Sequence, residues 1–192
     1  MKPKIIYTII SLLLSSTGFA QVNRGGVYLS IADYKNRKLT CEIDSRNEKD
    51  QINSNGIFNK SYITVIHNGK KYTYGKKYIF GYKDCDNKVY RFSKNDRFEL
   101  QESGKVYVYS KERRQSQGKN GSTIMVKDYY FSSDIGSEII PLTVKNLKTA
   151  FPDNSKFNDM LKENFKDGLV YAYDNTHKMF KVNHLYQMSL GQ

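Results

Sequence analysis

Tyrosines and lysines gather in the segment 61–92 and are the side chains of this sequence with the clearest chemical potential. Tyrosine rings stack on sugar rings or nucleobases, and lysine ammonium groups hold anions. The best candidates for a ligand-binding face are Tyr72, Tyr74, Tyr82 and Tyr90. The alternative is that these rings fill a sheet core, since tyrosine suits a half-buried strand. The chain has no tryptophan, the strongest stacking residue, which argues mildly against a dedicated carbohydrate binder.

The two cysteines, Cys41 and Cys85, raise the questions of thiol chemistry and of a disulfide. A nucleophilic cysteine needs a positive neighbourhood that lowers its pKa, whereas Cys85 stands between Asp84 and Asp86. No histidine lies at a spacing that would pair with it, which argues against a thiol enzyme. In an exported chain Cys41 and Cys85 can form a disulfide if the fold brings them together. The alternative is that Cys41 is simply buried in an apolar strand.

Histidine and carboxylate chemistry is suggested by Asp174, His177 and His184. A predicted last helix places the two histidines two turns apart, whereas metal-binding histidines on a helix usually lie at i and i+4. We therefore interpret the histidines as solvated or capping side chains and Asp174 as a helix N-cap. No Gly-x-Ser-x-Gly elbow and no phosphate-binding loop is present in the sequence. The interpretation assigns no catalytic residue, metal ligand or cofactor.

The N-terminal residues have the layout of a secretory signal peptide, predicted at 1–20. Lys2 and Lys4 form a positive head, residues 5–14 are mostly apolar, and cleavage is expected after Ala20. The apolar run is too short for a stable membrane span. The sequence therefore predicts an exported chain, periplasmic or extracellular, whose residues 21–192 form a single globular domain.

The formal net charge of +12 is spread along the chain. Because proteins that bind nucleic acid backbone usually carry a basic patch or stripe, this distribution argues against nucleic acid as the partner. For an exported chain, we expect an anionic envelope component or another protein to be the partner. The alternative is that the charge serves solubility alone.

Turn residues and alternating apolar residues predict strands over 27–132, and the helical spacing of apolar residues predicts a helical part over 143–187. Asn68-Gly69 indicates a tight hairpin, and residues 45–59 read as a surface loop. Thr143 is expected to cap the first helix, and Asp153 or Asn154 the second. The predicted fold class is α+β: an antiparallel β-meander, either open or barrel-like, followed by C-terminal helices packed on the sheet.

Four phrases together carry a resemblance that covers most of the chain beyond the signal peptide: SYITVIHNGKKYTY, IFGYKDCDNKVYRF, PLTVKNLKTAFPDNSKFNDML and THKMFKVNHL. They resemble small exported proteins of unknown function from Bacteroidota. The resemblance implies an extracytoplasmic location and transfers no catalytic residue. We interpret the chain as a non-catalytic binding or envelope-associated module. The alternatives are a hydrolase with a site assembled from distant residues and a secreted effector or inhibitor of another protein.

Overall fold

The computed structural model describes residues 23–54, 59–117, 122–166 and 169–191. The predicted signal peptide at 1–20 and Gln21 lie outside these residues. The strands are β1 Arg24–Tyr28, β2 Thr40–Asp44, β3 Gln51–Asn53, β4 Tyr62–His67, β5 Lys70–Gly75, β6 Gly81–Lys83, β7 Val89–Ser93, β8 Asp96–Glu102, β9 Tyr107–Gln117, β10 Ser122–Ser132, β11 Ile140–Pro141, β12 Tyr173–Asp174 and β13 Met179–Phe180. The helices are α1 Ile31–Lys35, α2 Val144–Ala150, α3 Ser155–Asn164 and α4 Lys181–Ser189.

An eight-stranded antiparallel sheet dominates the fold, in the order β11-β10-β9-β8-β7-β6-β1-β2. From β6 to β11 the strands follow one another as a meander, and the helices lie mainly at the C-terminal end of the chain. The predicted α+β class is therefore confirmed. The barrel-like alternative is wrong, because β11 and β2 stand at the two ends of the strand order and do not pair with each other.

The hairpin predicted at Asn68-Gly69 is confirmed, with φ of 50° and 73° at the two turn residues that join β4 to β5. Both central residues of such a turn need positive φ, which asparagine and glycine tolerate. A second turn of this kind, which the sequence analysis did not identify, joins β7 to β8 through Lys94 and Asn95, with φ of 48° and 72°. A lysine at the first position hides the usual sequence signal.

A separate three-stranded sheet, in the order β3-β4-β5, corrects the expectation of one continuous meander. Ile63 and Val65 on β4 are fully buried, because this small sheet packs its inner face on the large one. The predicted surface loop at 45–59 contains β3, whose neighbours are polar and mask the strand. Within the region 27–132 where strands are predicted, Lys76–Tyr78 form a 3-10 turn.

The C-terminal helices pack on one face of the large sheet, as expected. Val106 and Val108 point into a core cluster that also contains Leu147, Phe157 and Leu161 from the helices. The opposite face of β9 is covered as well, since its Tyr109 is fully buried in a different cluster. Burial on both faces explains why the first three residues of β9, at 107–109, are all apolar or aromatic, whereas the rest of the strand is polar.

Side-chain caps define the first two of these helices. Thr143 Oγ1 accepts a hydrogen bond from Asn146 N at the start of α2, and Asn154 Oδ1 accepts one from Phe157 N at the start of α3. The predicted cap of the last helix is wrong, because Asp174 ends β12 in a small hairpin with β13, and α4 begins only after Phe180. Among the described residues, no helix is both long and apolar enough to span a membrane.

Candidate functional site

A cleft of about 570 Å³ is bordered by the 3-10 turn, the start of β8 and the facing parts of β9 and β10. Its charged side chains are Lys76, Arg97, Lys111, Arg114, Asp96 and Glu112. Four of these are basic and two are acidic, so the charged lining has a net charge of +2. A concave surface with this balance attracts anions more strongly than an equally charged flat surface, because its walls focus the field.

Lys76 is buried at the inner wall of the cleft, with 3% of its surface exposed. Its ammonium group donates hydrogen bonds to Asn59 Oδ1 at 3.2 Å and to the carbonyl oxygen of Asn95 at 3.1 Å. It also lies 5.5 Å from the centre of the Phe92 ring. Burial lowers the pKa of Lys76. Because these contacts are to neutral groups, they position the ammonium without cancelling its charge.

Arg97 is held by two of the tyrosines predicted as ligand contacts, Tyr82 and Tyr90. Its Nη1 donates to Tyr82 Oη at 3.2 Å and to Ser54 Oγ at 2.7 Å, and its guanidinium lies 4.9 Å from the centre of the Tyr90 ring. The rings of Tyr82 and Tyr90 stack 4.8 Å apart. Burial raises the pKa of both phenols, so they stay protonated and serve as a neutral support for the guanidinium.

The rest of the cleft differs in how its charges are paired. Lys111 Nζ lies 2.8 Å from Asp96 Oδ2, so these two charges largely neutralise each other. Arg114 is exposed at the rim and forms no ion pair with any of the residues that the structure describes. The cations left to attract a ligand are therefore Lys76, Arg97 and Arg114, with Glu112 as a partial counter-charge.

An aromatic pocket of about 370 Å³ adjoins the cleft, lined in part by Tyr62, Gly75, Tyr78 and Asn95. Asn95 connects the two, because its carbonyl oxygen binds Lys76 in the cleft. Tyr78 is 73% exposed, and Gly75 lets its ring lie against the backbone, since a Cβ there would stand 2.9 Å from Tyr78 Cδ2. An exposed ring beside a cationic cleft can stack on a flat apolar ligand surface.

The four tyrosines predicted as a ligand-binding face do not share one surface. Tyr82 is 4% exposed, Tyr74 and Tyr90 are partly buried against the same core cluster, and Tyr72 is 37% exposed on β5 of the small sheet. Their contribution to the cleft is indirect, through the contacts of Tyr82 and Tyr90 with Arg97. Sequence reasoning missed Tyr78, the most exposed aromatic ring among the described residues, because its segment reads as a strand rather than as a 3-10 turn.

Cys41 and Cys85 are both free thiols in the structure. Cys41 belongs to β2 and Cys85 follows β6, and β1 lies between these strands, which sets them about 10 Å apart. A disulfide needs Cα atoms within about 7 Å. Cys41 Sγ instead lies 2.9 Å from the hydroxyl of Tyr74, and burial with this contact raises the pKa of Tyr74 to about 12. Burial, and to a lesser extent the neighbouring carboxylates, raises the pKa of Cys85, which disfavours a reactive thiolate.

Carboxyl groups give no support to hydrolysis. Among the described residues, every carboxyl group whose pKa departs clearly from its ordinary value has it lowered, chiefly by hydrogen bonds: these are Asp44, Asp50, Asp134, Glu138 and Asp174. A general acid for glycoside cleavage needs a raised pKa so that it holds its proton near neutral pH. None of these five carboxyl groups has the raised pKa of such an acid.

Comparison with known proteins gives no match: no family model, no curated protein and no solved structure is similar to this chain at a significant level. Any inference about function consequently depends on the geometry of the molecule itself.

Proposed function

We propose that this chain is an exported, non-catalytic module that binds an anionic polysaccharide of the cell envelope. The observation that carries the proposal is the junction at Lys76–Tyr78, where a 3-10 turn places a buried ammonium in the cationic cleft and an exposed ring in the adjoining pocket. Acidic sugars combine the two features that such a junction recognises, an anionic group and a ring with an apolar face.

Charge supports an acidic ligand over a neutral one. Arg97 is fixed by neutral side chains, and Arg114 at the rim forms no ion pair with a described residue, so both guanidinium groups can donate to carboxylates or sulfates. Arginine presents parallel N–H donors to a planar anion, which gives orientation as well as attraction. Because the rim is exposed to solvent, salt should weaken binding.

The proposal is tested by isothermal titration of the chain with polygalacturonate, dextran sulfate, neutral dextran and a single-stranded oligonucleotide. We expect an acidic polysaccharide to bind, to weaken as salt rises, and to bind more tightly than neutral dextran. Equal binding of neutral dextran, tighter binding of the oligonucleotide, or no binding of either acidic polymer at millimolar sugar concentration would refute it.

Two pairs of variants localise the site. Arg114→Ala should weaken binding about fivefold to tenfold, whereas Arg113→Ala should not, because Arg113 already pairs with Asp128 on β10. Tyr78→Ala should weaken binding by a similar factor through the lost stacking, whereas Tyr72→Ala on β5 should leave it unchanged. Equal effects of the two substitutions within either pair would show that the ligand does not bind in the cleft and its adjoining pocket.

The same titration separates the rival functions predicted from the sequence. A hydrolase would release new reducing ends from the polysaccharide during prolonged incubation, and a binding module would not. A protein effector would show no affinity for either acidic polymer.

A further inference from the structure

Asp174, His177 and His184 converge on one point although they belong to three different local structures. Asp174 ends β12, His177 lies in the turn between β12 and β13, and His184 is on α4. The hairpin turns the chain back at residues 175–178, with Lys178 at a φ of 52°, and β13 leads directly into α4. This path brings the first turn of α4 back beside the hairpin.

The distances among the three side chains are those of a ligand set. His177 Nδ1 lies 2.8 Å and His184 Nδ1 3.0 Å from the same carboxylate oxygen, Asp174 Oδ2. Ligand atoms of all three lie within 4.8 Å of one another, and the two imidazole rings are only 3.7 Å apart between centroids. Tetrahedral zinc with bonds of 2.0–2.1 Å has its ligand atoms about 3.3 Å apart.

The neighbouring contacts hold these ligands in place without a metal. Asp174 Oδ1 accepts hydrogen bonds from the backbone N–H groups of Thr176 and His177 at 2.9 and 3.1 Å, which leaves Oδ2 directed at the imidazoles. His184 stands between buried residues of α4, and one of these, Asn183, is hydrogen-bonded to Val106 in the turn between β8 and β9. Such outer contacts orient metal ligands and raise affinity.

We propose that Asp174, His177 and His184 form a binding site for one divalent transition-metal ion of the zinc class. Two imidazole nitrogens and one carboxylate oxygen match zinc, cobalt, nickel or copper, whereas magnesium and calcium prefer oxygen ligands alone. The His177 side chain is 47% exposed, so solvent can reach the remaining coordination position. The ion would join the β12–β13 hairpin to α4.

Metal binding at this site requires a change of tautomer that a structural role does not. Without metal, the Nδ1–H group of each imidazole donates a hydrogen bond to Oδ2 of the Asp174 carboxylate. A coordinated Nδ1 carries no proton, so the proton of the neutral ring must then reside on Nε2. Because the chain contains only 3 histidines, nitrogen NMR of the imidazoles resolves this change residue by residue.

The test titrates the untagged full-length chain, after treatment with chelator, with Zn²⁺ in a calorimeter and with Co²⁺ in a spectrophotometer. We expect one ion per chain, visible absorption bands of a low-coordinate Co²⁺ complex, and the Nε2–H tautomer at His177 and His184 on adding Zn²⁺. We also expect the melting temperature to rise with Zn²⁺ concentration.

Matched variants locate the ion. Asp174→Asn keeps an oxygen for the backbone donors of the turn but loses the anionic ligand, and His184→Ala removes one imidazole. Each should weaken Zn²⁺ binding by about tenfold to 100-fold. His67→Ala, which removes the remaining histidine, should leave Zn²⁺ binding unchanged. The proposal is overturned if Zn²⁺ does not bind 1:1 at concentrations up to about 100 μM. It is also overturned if His67→Ala is the variant that loses binding, or if the tautomers of His177 and His184 stay unchanged on adding Zn²⁺.

Discussion

Asn183 fixes α4 on the large sheet, and its replacement by alanine should destabilise the fold substantially. Its Oδ1 accepts a hydrogen bond from Val106 N at 2.9 Å, and its Nδ2 donates to Val106 O at 2.8 Å and to the Glu102 carboxylate. The amide reaches this position because Gly104 has no side chain, and a Cβ there would stand 2.7 Å from the Asn183 side chain. The substitution leaves both backbone groups of Val106 without these partners.

The expected magnitude follows from these three hydrogen bonds. Each neutral bond contributes about 1 kcal/mol and the bond to the carboxylate about 1.5–3 kcal/mol, and buried groups without partners cost at least as much. Alanine recovers roughly 0.6 kcal/mol of helix propensity. We therefore expect the free energy of unfolding to fall by about 3–4 kcal/mol. At a urea dependence of about 2 kcal/mol/M, the midpoint moves by roughly 1.5–2 M.

Urea denaturation followed by circular dichroism measures this shift. Asn164→Ala is the matched control, because Asn164 is exposed on α3 and its amide only donates back to the carbonyl oxygen of Met160. The control should leave the midpoint within about 0.3 M, since exposed substitutions usually change stability by no more than about 0.5 kcal/mol. A midpoint shift for Asn183→Ala as small as that of the control would refute the role assigned to the amide.

Asn183→Asp examines the same contacts through pH. An ionised carboxylate at 183 would face Glu102 and the Val106 carbonyl oxygen, which raises the pKa of the new group in the folded state. The variant should be least stable near neutral pH and regain stability as the pH falls through this raised pKa, because a protonated carboxyl can donate. A loss of stability that does not depend on pH would contradict this reading.

Three further predictions concern other parts of the molecule. Arg91→Lys should lower the free energy of unfolding by about 2–3 kcal/mol, since one ammonium cannot replace a buried guanidinium that binds two carbonyl oxygens of the 133–139 loop; thermal unfolding within 1 °C of the parent would contradict it. Gly81→Ala should lower the free energy of unfolding by more than about 3 kcal/mol, because a Cβ would stand 1.9 Å from a carbonyl oxygen on β7. Gly69→Ala, at an open position with φ of 73°, should lower it by only about 1–2 kcal/mol, and similar urea midpoints for the two variants would contradict this. The pKa of Asp44 is lowered to about 2, first by the hydrogen bonds from the Arg46 side chain and then by the one from its backbone N–H, so the stabilising contribution of Asp44 exists above the ordinary aspartate pKa and is lost as pH falls towards 2. In a carbon NMR titration Arg46→Ala should raise the midpoint but leave it below the ordinary value of about 3.9, because alanine keeps the backbone donor; an unchanged midpoint would contradict this.

Local signals in the sequence predict local structure well in this chain. The Asn68-Gly69 turn and the caps of α2 and α3 are correct because each depends on residues within a few positions of one another. The errors occur where long-range packing decides. β3 is a strand only because β4 pairs with it, and β4 belongs to the small sheet only because Ile63 and Val65 find apolar partners on the large one.

The candidate sites were harder to predict for the same reason. Placing His177 and His184 on one helix separates them by two turns, whereas the hairpin at 173–180 brings their rings into contact. That hairpin has strands of two residues each, which is below the length at which alternation is visible. The sequence predicts Tyr82 and Tyr90 as part of a ligand-binding face, whereas their packing against Arg97 depends on pairing between β6, β7 and β8.

Buried polar side chains in this fold join irregular segments to one another and to the sheet. Arg91 binds the loop after β10, and Asn183 binds the turn between β8 and β9. Both side chains bind backbone groups that would otherwise lack hydrogen-bond partners, so these contacts stabilise the fold. Lys76 also joins two turns, through Asn59 and Asn95, but a neutral side chain could do this without the cost of desolvating a charge. An ammonium at the wall of an open, net positive cleft is consistent with the anion binding that we propose for this site.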